Sequence, residues 1–297
     1  MVNHHTELGR RAFLKEGLLS LSVAGLSISL TKTSRSSESK AIKLGMVTDL
    51  HFADKPTAGS RHYRETPSKL AVAVEQFKKE KVLAVVELGD LIDAADTPAK
   101  ELAYLKTINE IFSKISPNRH YVLGNHCVYT LTKQEFLTGV EQKRSYYSFD
   151  LRQRHFVILD SCFRSDLQPY GRNNFEWTDT NMPPEELKWL RRDLGETKFP
   201  TVVFAHQRLD VKNHYGVKNA DAIRTILAES GKVAAVFQGH SHKNDYHEID
   251  GIHYCTLVAM VEGTGAENNG FSILDWTNPD SIQINGFRRQ ADYQWKG

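Results

Sequence analysis

Ile42-Lys43-Leu44-Gly45-Met46-Val47-Thr48-Asp49-Leu50-His51 opens on an apolar run and closes on two side chains that metals favour. A short, largely apolar run followed at once by polar residues reads as a buried strand with a functional end. The pattern recurs downstream. Residues 82–88 (VLAVVEL) precede Gly89-Asp90 and then Asp93, and residues 120–123 precede Gly124-Asn125-His126. Residues 201–205 lead into His206, and residues 233–238 (VAAVFQ) into Gly239-His240-Ser241-His242. Between the first three runs lie two helical spacings: Leu70, Val74 and Phe77 within 66–81, and Leu102, Leu105, Ile108 and Phe112 within 98–115. This βαβαβ order predicts an α/β fold with a parallel sheet covered by helices. Ligands of such sheets bind at the carboxyl ends of the strands, so all five clusters are expected at one edge.

The rest of the chain extends the pattern. Strands are expected at 146–150 and 155–160, with helices near 184–194 and over 219–230. Four final strands (246–250, 252–258, 270–276 and 281–287) read as consecutive and antiparallel. Residues 52–64 and 162–183 have no strong period and are rich in Gly, Pro, Asn, Arg and aromatics. Long loops in compact domains are usually functional. No internal repeat or linker interrupts 41–297, which is read as one domain.

Composition narrows the function. The chain has 297 residues, 40% hydrophobic and 25% charged, which excludes disorder and a fibrous repeat. A formal net charge of +2 gives no case for a nucleic-acid partner. Three cysteines cannot build a disulfide scaffold, although Cys162 and Cys255 are a pair that an oxidising compartment would allow. The surplus is histidine, at 13 residues.

Residues 1–40 read as an export leader. Gly9-Arg10-Arg11-Ala12-Phe13-Leu14-Lys15 carries a twin-arginine pair and runs into an apolar stretch (17–30) and a Ser/Lys-rich tail. The apolar stretch is too short for ~20 spanning residues, and no cysteine offers a lipid anchor, so no stable membrane anchor is expected. The leader resembles a Tat signal. That resemblance implies the Tat export machinery as partner, export of a folded protein, and a periplasmic or extracellular location. No clear Ala-x-Ala site marks its cleavage. The 40 residues hold six Lys/Arg and three Asp/Glu, so the body carries 32 against 33.

Asp, Asn and His offer hard oxygen and borderline nitrogen donors, the mixture that suits manganese, iron or zinc. Asp49 and His51 are separated by one residue, as are His240 and His242. In an extended chain that spacing puts both side chains on one side. Two metals sharing a carboxylate, about 3.5–4 Å apart, clamp the attacking and leaving oxygens of a phosphoryl displacement. Each cluster alone is weak; the ordered set, each after an apolar run, is not.

The set resembles the calcineurin-like metallophosphoesterase family, whose DxH, GD, GNH, lone-His and GHxH blocks match Asp49-Leu50-His51, Gly89-Asp90, Gly124-Asn125-His126, His206 and Gly239-His240-Ser241-His242. The resemblance covers 42–288. It implies a four-layer α/β/β/α sandwich and two metal ions, manganese first, with iron or zinc as alternatives. Asp49, His51, Asp90 and His242 would hold one ion. Asp90 would bridge to a second, completed by Asn125, His206 and His240. His126 would stabilise the transferring phosphoryl group and protonate the leaving oxygen. Two departures stand out. Cys127 replaces the family's usual acidic residue after GNH, so another carboxylate is needed behind His126. Asp93 stands where purple acid phosphatases carry a Tyr ligand.

Local strings are also similar to the manganese-dependent ADP-ribose/CDP-alcohol diphosphatases: Phe52-Ala53-Asp54, Arg61-His62-Tyr63-Arg64, Gly89 to Asp93, Tyr146 to Phe149, and Gly251 to Tyr254. Arg61 and Arg64 are candidates for a second phosphate, and Phe52, Tyr63, Tyr170 or Phe175 for stacking on a nucleobase. The expected activity is hydrolysis of a phosphoanhydride in a nucleoside-diphosphate-linked small molecule by a metal-activated hydroxide. A broad phosphomonoesterase or phosphodiesterase, or a metal-dependent sensor, is the alternative. Oligomeric state is left open by the sequence.

Overall fold

The computed structural model describes residues 42–278 and 281–296, with two short segments, Leu14–Lys15 and Leu18–Leu19, that pair antiparallel. Apart from those segments, the twin-arginine leader lies outside the described residues. The chain divides into two units, Met1–Ser39 and Lys40–Gly297. The second unit alternates strands and helices.

Its first half runs β1 (Lys43–Val47), α1 (Thr66–Glu80), β2 (Ala84–Glu87), α2 (Pro98–Phe112), β3 (Arg119–Tyr121) and α3 (Lys133–Gly139). Next come β4 (Tyr147–Leu151), β5 (Arg154–Ile158), α4 (Pro184–Glu196), β6 (Thr201–Phe204), α5 (Ala220–Ser230) and β7 (Val233–Gln238). The chain ends with β8 (Asp245–Ile249), β9 (Ile252–Thr256), β10 (Gly270–Asp275), β11 (Ser281–Arg288) and β12 (Tyr293–Lys296). Helix starts carry their own signals. Thr97 caps α2 ahead of Pro98, and Thr132 with Glu135 forms a capping box on α3.

The strands make two six-stranded mixed sheets, in the orders β12-β11-β10-β1-β2-β3 and β8-β9-β7-β6-β5-β4. Both crossovers expected at the start are present, with β1, β2 and β3 parallel. The final strands are not the single antiparallel run the sequence suggests. β9 returns antiparallel to β8 through an Asp250-Gly251 turn with positive φ at both residues, but pairs parallel with β7. β10 to β12 then cross to the other sheet. Alternating apolar residues identify a strand; they do not name its neighbour.

Three apolar layers hold the sandwich together. Leu44 and Met46 of β1 point between the sheets, toward Phe156, Val202, Phe204 and Phe237. Val47, Val85 and Ile273 face the first helical layer, with Leu70, Phe77, Leu105 and Ile108. Val157, Val203 and Val236 face Leu190, Leu194, Ile223 and Leu227 of α4 and α5. Each such buried side chain contributes about 1.5–3 kcal/mol. The result is an α/β/β/α stack, and the loops leaving β1, β2, β6 and β7 converge at one edge. Among the described residues no helix is long and apolar enough to cross a membrane.

Candidate metal centre

The loops after β1 and β2 are laced together before any side chain is considered. Asp49 N, His51 N and Phe52 N donate to the carbonyls of Gly89, Asp90 and Leu91 at 3.0, 2.7 and 3.1 Å. This lacing bends the chain out of the strand. Asp49, His51, Asp90, His240 and His242 all have left-handed backbones, with φ of 50°, 46°, 59°, 69° and 62°. Strand alternation is therefore not what aims the Asp-x-His pair. Two left-handed residues flank a fully buried Leu50 and turn both polar side chains to the same side. Such conformations cost about 1–2 kcal/mol each, a strain that clusters at functional sites. Gly89 is bound to its position for a related reason: its φ is 102°, and a Cβ there would collide with the His206 ring.

The seven expected ligands are brought together. Nε2 of His51 and Nε2 of His242 face each other at 3.1 Å, and Asp49 Oδ1 lies 3.3 Å from the latter. Asp90 Oδ2 lies 3.1 Å from His206 Nε2 and 3.6 Å from His51 Nε2, between the two groups. Ligand atoms of Asp49, His51 and His242 lie within 4.8 Å of one another, as do those of Asp90, His206 and His240.

Asp49, Asp90 and His206 each have one atom tied to protein and another turned to the site. Asp49 Oδ2 accepts from Thr48 Oγ1 at 2.6 Å and from His240 N at 3.1 Å, while its Oδ1 has no hydrogen-bond partner. Asp90 Oδ1 accepts from His126 N at 2.7 Å, freeing Oδ2. His206 Nδ1 faces the Leu88 carbonyl at 2.8 Å, so Nδ1 carries the proton and Nε2 presents its lone pair. Buried Nε2 of His206, Nε2 of His240 and Oδ1 of Asn125 also lack a hydrogen-bond partner. Buried polar atoms are normally paired, so this many orphans aimed at one space fit two cations. The charges agree. Burial alone would raise the Asp49 and Asp90 carboxyls, but the surrounding histidines hold both below the usual range. Burial would lower His206 and His242, yet Asp90 and Asp49 push them up to about 9. Buried His240 is pushed down to about 3. A bound cation would take the place of those protons.

His126 sits at the rim, its side chain 23% exposed, with Nδ1 3.0 Å from Asp93 Oδ1. Asp93 is thus the carboxylate behind His126, and Cys127 is a buried core residue. Beside the ligands opens a cleft of about 850 Å3, lined by Asp90, Asn125, His126, His240 and His242 and by Arg61, Trp177, Tyr215, Lys243, Glu262 and Arg289.

The substrate-binding candidates separate here. Only Arg61 lines the cleft. Phe52 and Tyr63 are buried in the helical-layer core, where Phe52 meets Tyr104 edge-on and Lys55 lies over the Tyr63 ring. Arg64 is exposed and pairs with Asp54 at 2.6 Å. Tyr170 is buried and stacked on Phe175, centroids 4.0 Å apart. The aromatics on the cleft are Trp177 and Tyr215, from loops whose direction no sequence period reveals. Glu262 is another residue the sequence does not single out; its Oε1 lies 2.6 Å from His242 Nδ1. The three cysteines are free and buried, and Cys162 and Cys255 belong to different core layers, which explains their not pairing.

Comparison with known proteins agrees with this geometry. Residues 42–244 match the calcineurin-like phosphoesterase family model. The chain is similar to the manganese-dependent ADP-ribose/CDP-alcohol diphosphatase of Danio rerio, 30% identical, covering 76% of this chain and 89% of that protein. It is also similar to the Arabidopsis thaliana protein of the same name, at 23% identity over 73% and 86%. Among solved structures, a dimetal phosphatase from Danio rerio shares the fold, with a TM-score of 0.75 at 19% identity over 86% of this chain and 98% of that one. With its ligand blocks assembled and its matched region spanning both sheets, this chain belongs to the calcineurin-like phosphoesterase family.

Proposed function

We propose that the protein is a manganese-dependent diphosphatase that hydrolyses the phosphoanhydride of a nucleoside-diphosphate-linked small molecule of ADP-ribose or CDP-alcohol type. One observation carries the reading: Asp90 Oδ2 stands between two histidine groups, directly beside a cleft with three cations on its wall. Two divalent ions, when bound, would neutralise the phosphoryl oxygens and make water a nucleophile near neutral pH. Asp49, His51 and His242 would hold one ion, Asn125, His206 and His240 the other, with Asp90 shared. The chain's own residues do the rest. His126 presents its outer nitrogen to the leaving oxygen while Asp93 fixes the inner one, so protonation of the leaving phosphate needs no reorientation. Arg61, Lys243 and Arg289 suit the second phosphate, and Trp177 with Tyr215 the flat base. Water adds to one phosphorus, the anhydride P–O bond breaks, and two monophosphates leave.

Assays of ADP-ribose, CDP-glycerol, p-nitrophenyl phosphate and its bis-ester with Mn2+ test this. Cleavage of the diphosphates into monophosphates at the highest kcat/KM supports it; turnover of only the nitrophenyl esters would establish the broad esterase instead. We also propose that the enzyme acts outside the cytoplasm. A reporter fused to residues 1–40 should be exported, and replacing Arg10 and Arg11 by Lys should stop it; export without the arginine pair would refute the twin-arginine route.

A further inference from the structure

Lys69, on α1, is 1% exposed. Its Nζ donates to three carbonyl oxygens, those of Met260 at 3.0 Å, Glu262 at 2.9 Å and Gly263 at 2.6 Å. An ammonium has three N–H donors and all three are used. Burying such a charge is costly unless it is fully paired, and simple core packing would be served better by an apolar side chain. The partners need explaining, therefore, and they all belong to one strap of backbone.

That strap, residues 259–263, is stitched to the metal-ligand loops. Met260 N and Val261 N donate to the carbonyls of Thr48 and Asp49, each at 3.1 Å, and Ala259 N to that of His242 at 3.4 Å. On its other side Gly263 N donates to Ser60 O at 2.8 Å, and Val261 O accepts from His62 N at 2.9 Å. The strap also carries Glu262, whose carboxylate meets Nδ1 of His242. Lys69 grips the carbonyls on either side of the strap's closest approach to that ligand. Three carbonyl dipoles converging on one point repel each other unless a cation sits among them.

We propose that Lys69 is a positioning residue of the metal centre, its ammonium locking the strap so that Glu262 holds His242 at the Asp49/His51 ion. The inference rests on the two-metal reading, and it is selective. Only one ion group contains His242; among the described residues no hydrogen bond or ion pair joins the side chains of Asp90, His206 and His240 to the strap or to Lys69.

Manganese titrations followed by calorimetry and EPR, on the wild type, Lys69→Met, Glu262→Gln and the double variant, test it. The wild type should bind two ions. Lys69→Met should weaken one site by about 10-fold or more, the usual cost of losing an orienting partner, and leave the other unchanged. Glu262→Gln should reproduce that pattern, and the double variant should be no weaker than the worse single, because both act through one path. Circular dichroism and melting of the metal-free proteins confirm folding. A merely structural lysine would lower the melting temperature and weaken both sites alike, with additive losses; that result overturns the inference, as does unchanged affinity in a folded Lys69→Met. If Lys69→Met does not fold, Lys69→Gln, which keeps an amide donor, must show the same one-site loss or the inference fails. Fewer than two ions on the wild type would instead refute the two-metal reading.

Discussion

Asp93 faces two histidines at once: its Oδ1 lies 3.0 Å from Nδ1 of His126, and its Oδ2 lies 3.3 Å from Nδ1 of His51. Lys55 Nζ, 2.9 Å away, shares the charge. Burial would raise this carboxyl, but its contacts with both imidazoles hold it far below the ordinary range. It is therefore an anion whenever the enzyme works, hydrogen-bonded to the rim histidine and in charge contact with His51.

Replacing Asp93 by Asn keeps the shape and removes the charge. We expect kcat to fall about 10–100-fold, the usual cost of an orienting partner. His126→Ala should lose more, about 10²–10⁴-fold, with two metals still bound, because the role proposed for His126 is to give a proton and not to hold an ion. Single-turnover rates beside metal analysis decide this. An active His126→Ala enzyme would remove the residue from the mechanism.

How far the sequence reaches depends on where a residue's partners lie. The gathering of the seven candidate ligands is legible because each sits in a few-residue block at a strand end, and strand ends of an α/β sheet share an edge. Asp93 lies three residues past Asp90, yet its bond to His126 spans 33 positions and has no local signature. Glu262 reaches His242 from the segment that links β9 to β10, with no motif around it. Phe52 and Tyr63 belong to a loop whose residues suggest chemistry, but side-chain direction there is set by the core beneath. Arg64 finds Asp54 instead of the cleft. The left-handed ligand backbones have the same origin: they follow from lacing between loops, which spacing within one loop does not encode.

Gly89→Ala tests that lacing. The new methyl would need a strained φ of 102° and would overlap the His206 ring, whose Nδ1 is fixed on Leu88 O. A loss of about 2–4 kcal/mol is expected from strain and overpacking together, read as a lower denaturant midpoint and weaker metal binding. A variant as stable as the wild type would show that the loop relaxes freely.

The proposed role of the cleft cations predicts a difference between diphosphates and simple esters. Arg289 is exposed on the cleft wall and Arg64 is outside it, paired with Asp54. Arg289→Ala should raise KM for a nucleoside-diphosphate substrate by about 10-fold, the value of one charge-assisted bond to phosphate, and leave p-nitrophenyl phosphate unaffected. Arg64→Ala should change neither. Equal effects of the two substitutions on both substrates would mean that the second phosphate binds elsewhere.

His120 gives the fold an acid limit of its own. It is the middle residue of β3, stacked on Phe149 with centroids 3.6 Å apart, its nitrogens 2.8 Å from Tyr147 Oη and 3.0 Å from Asn118 Oδ1. Neither partner is a carboxylate, and burial pushes its pKa down to about 4. A pKa lowered on folding means that protons favour the unfolded chain. Stability is therefore intact above the unfolded value of about 6.5 and drains away as pH falls toward 4, by about 2 kcal/mol at pH 5. His155 acts with the opposite sign: burial would lower it, but Asp193 and Asp150, at 2.9 and 2.7 Å, raise it. Its contribution is present below the unfolded value and lost as pH rises through the raised one, so it does not cause the acid loss. Denaturant unfolding of metal-free wild type and His120→Phe at pH 7 and pH 5 isolates the effect. The variant should lose about 2 kcal/mol less than the wild type over that interval, and equal losses would show that His120 titrates normally in the folded chain.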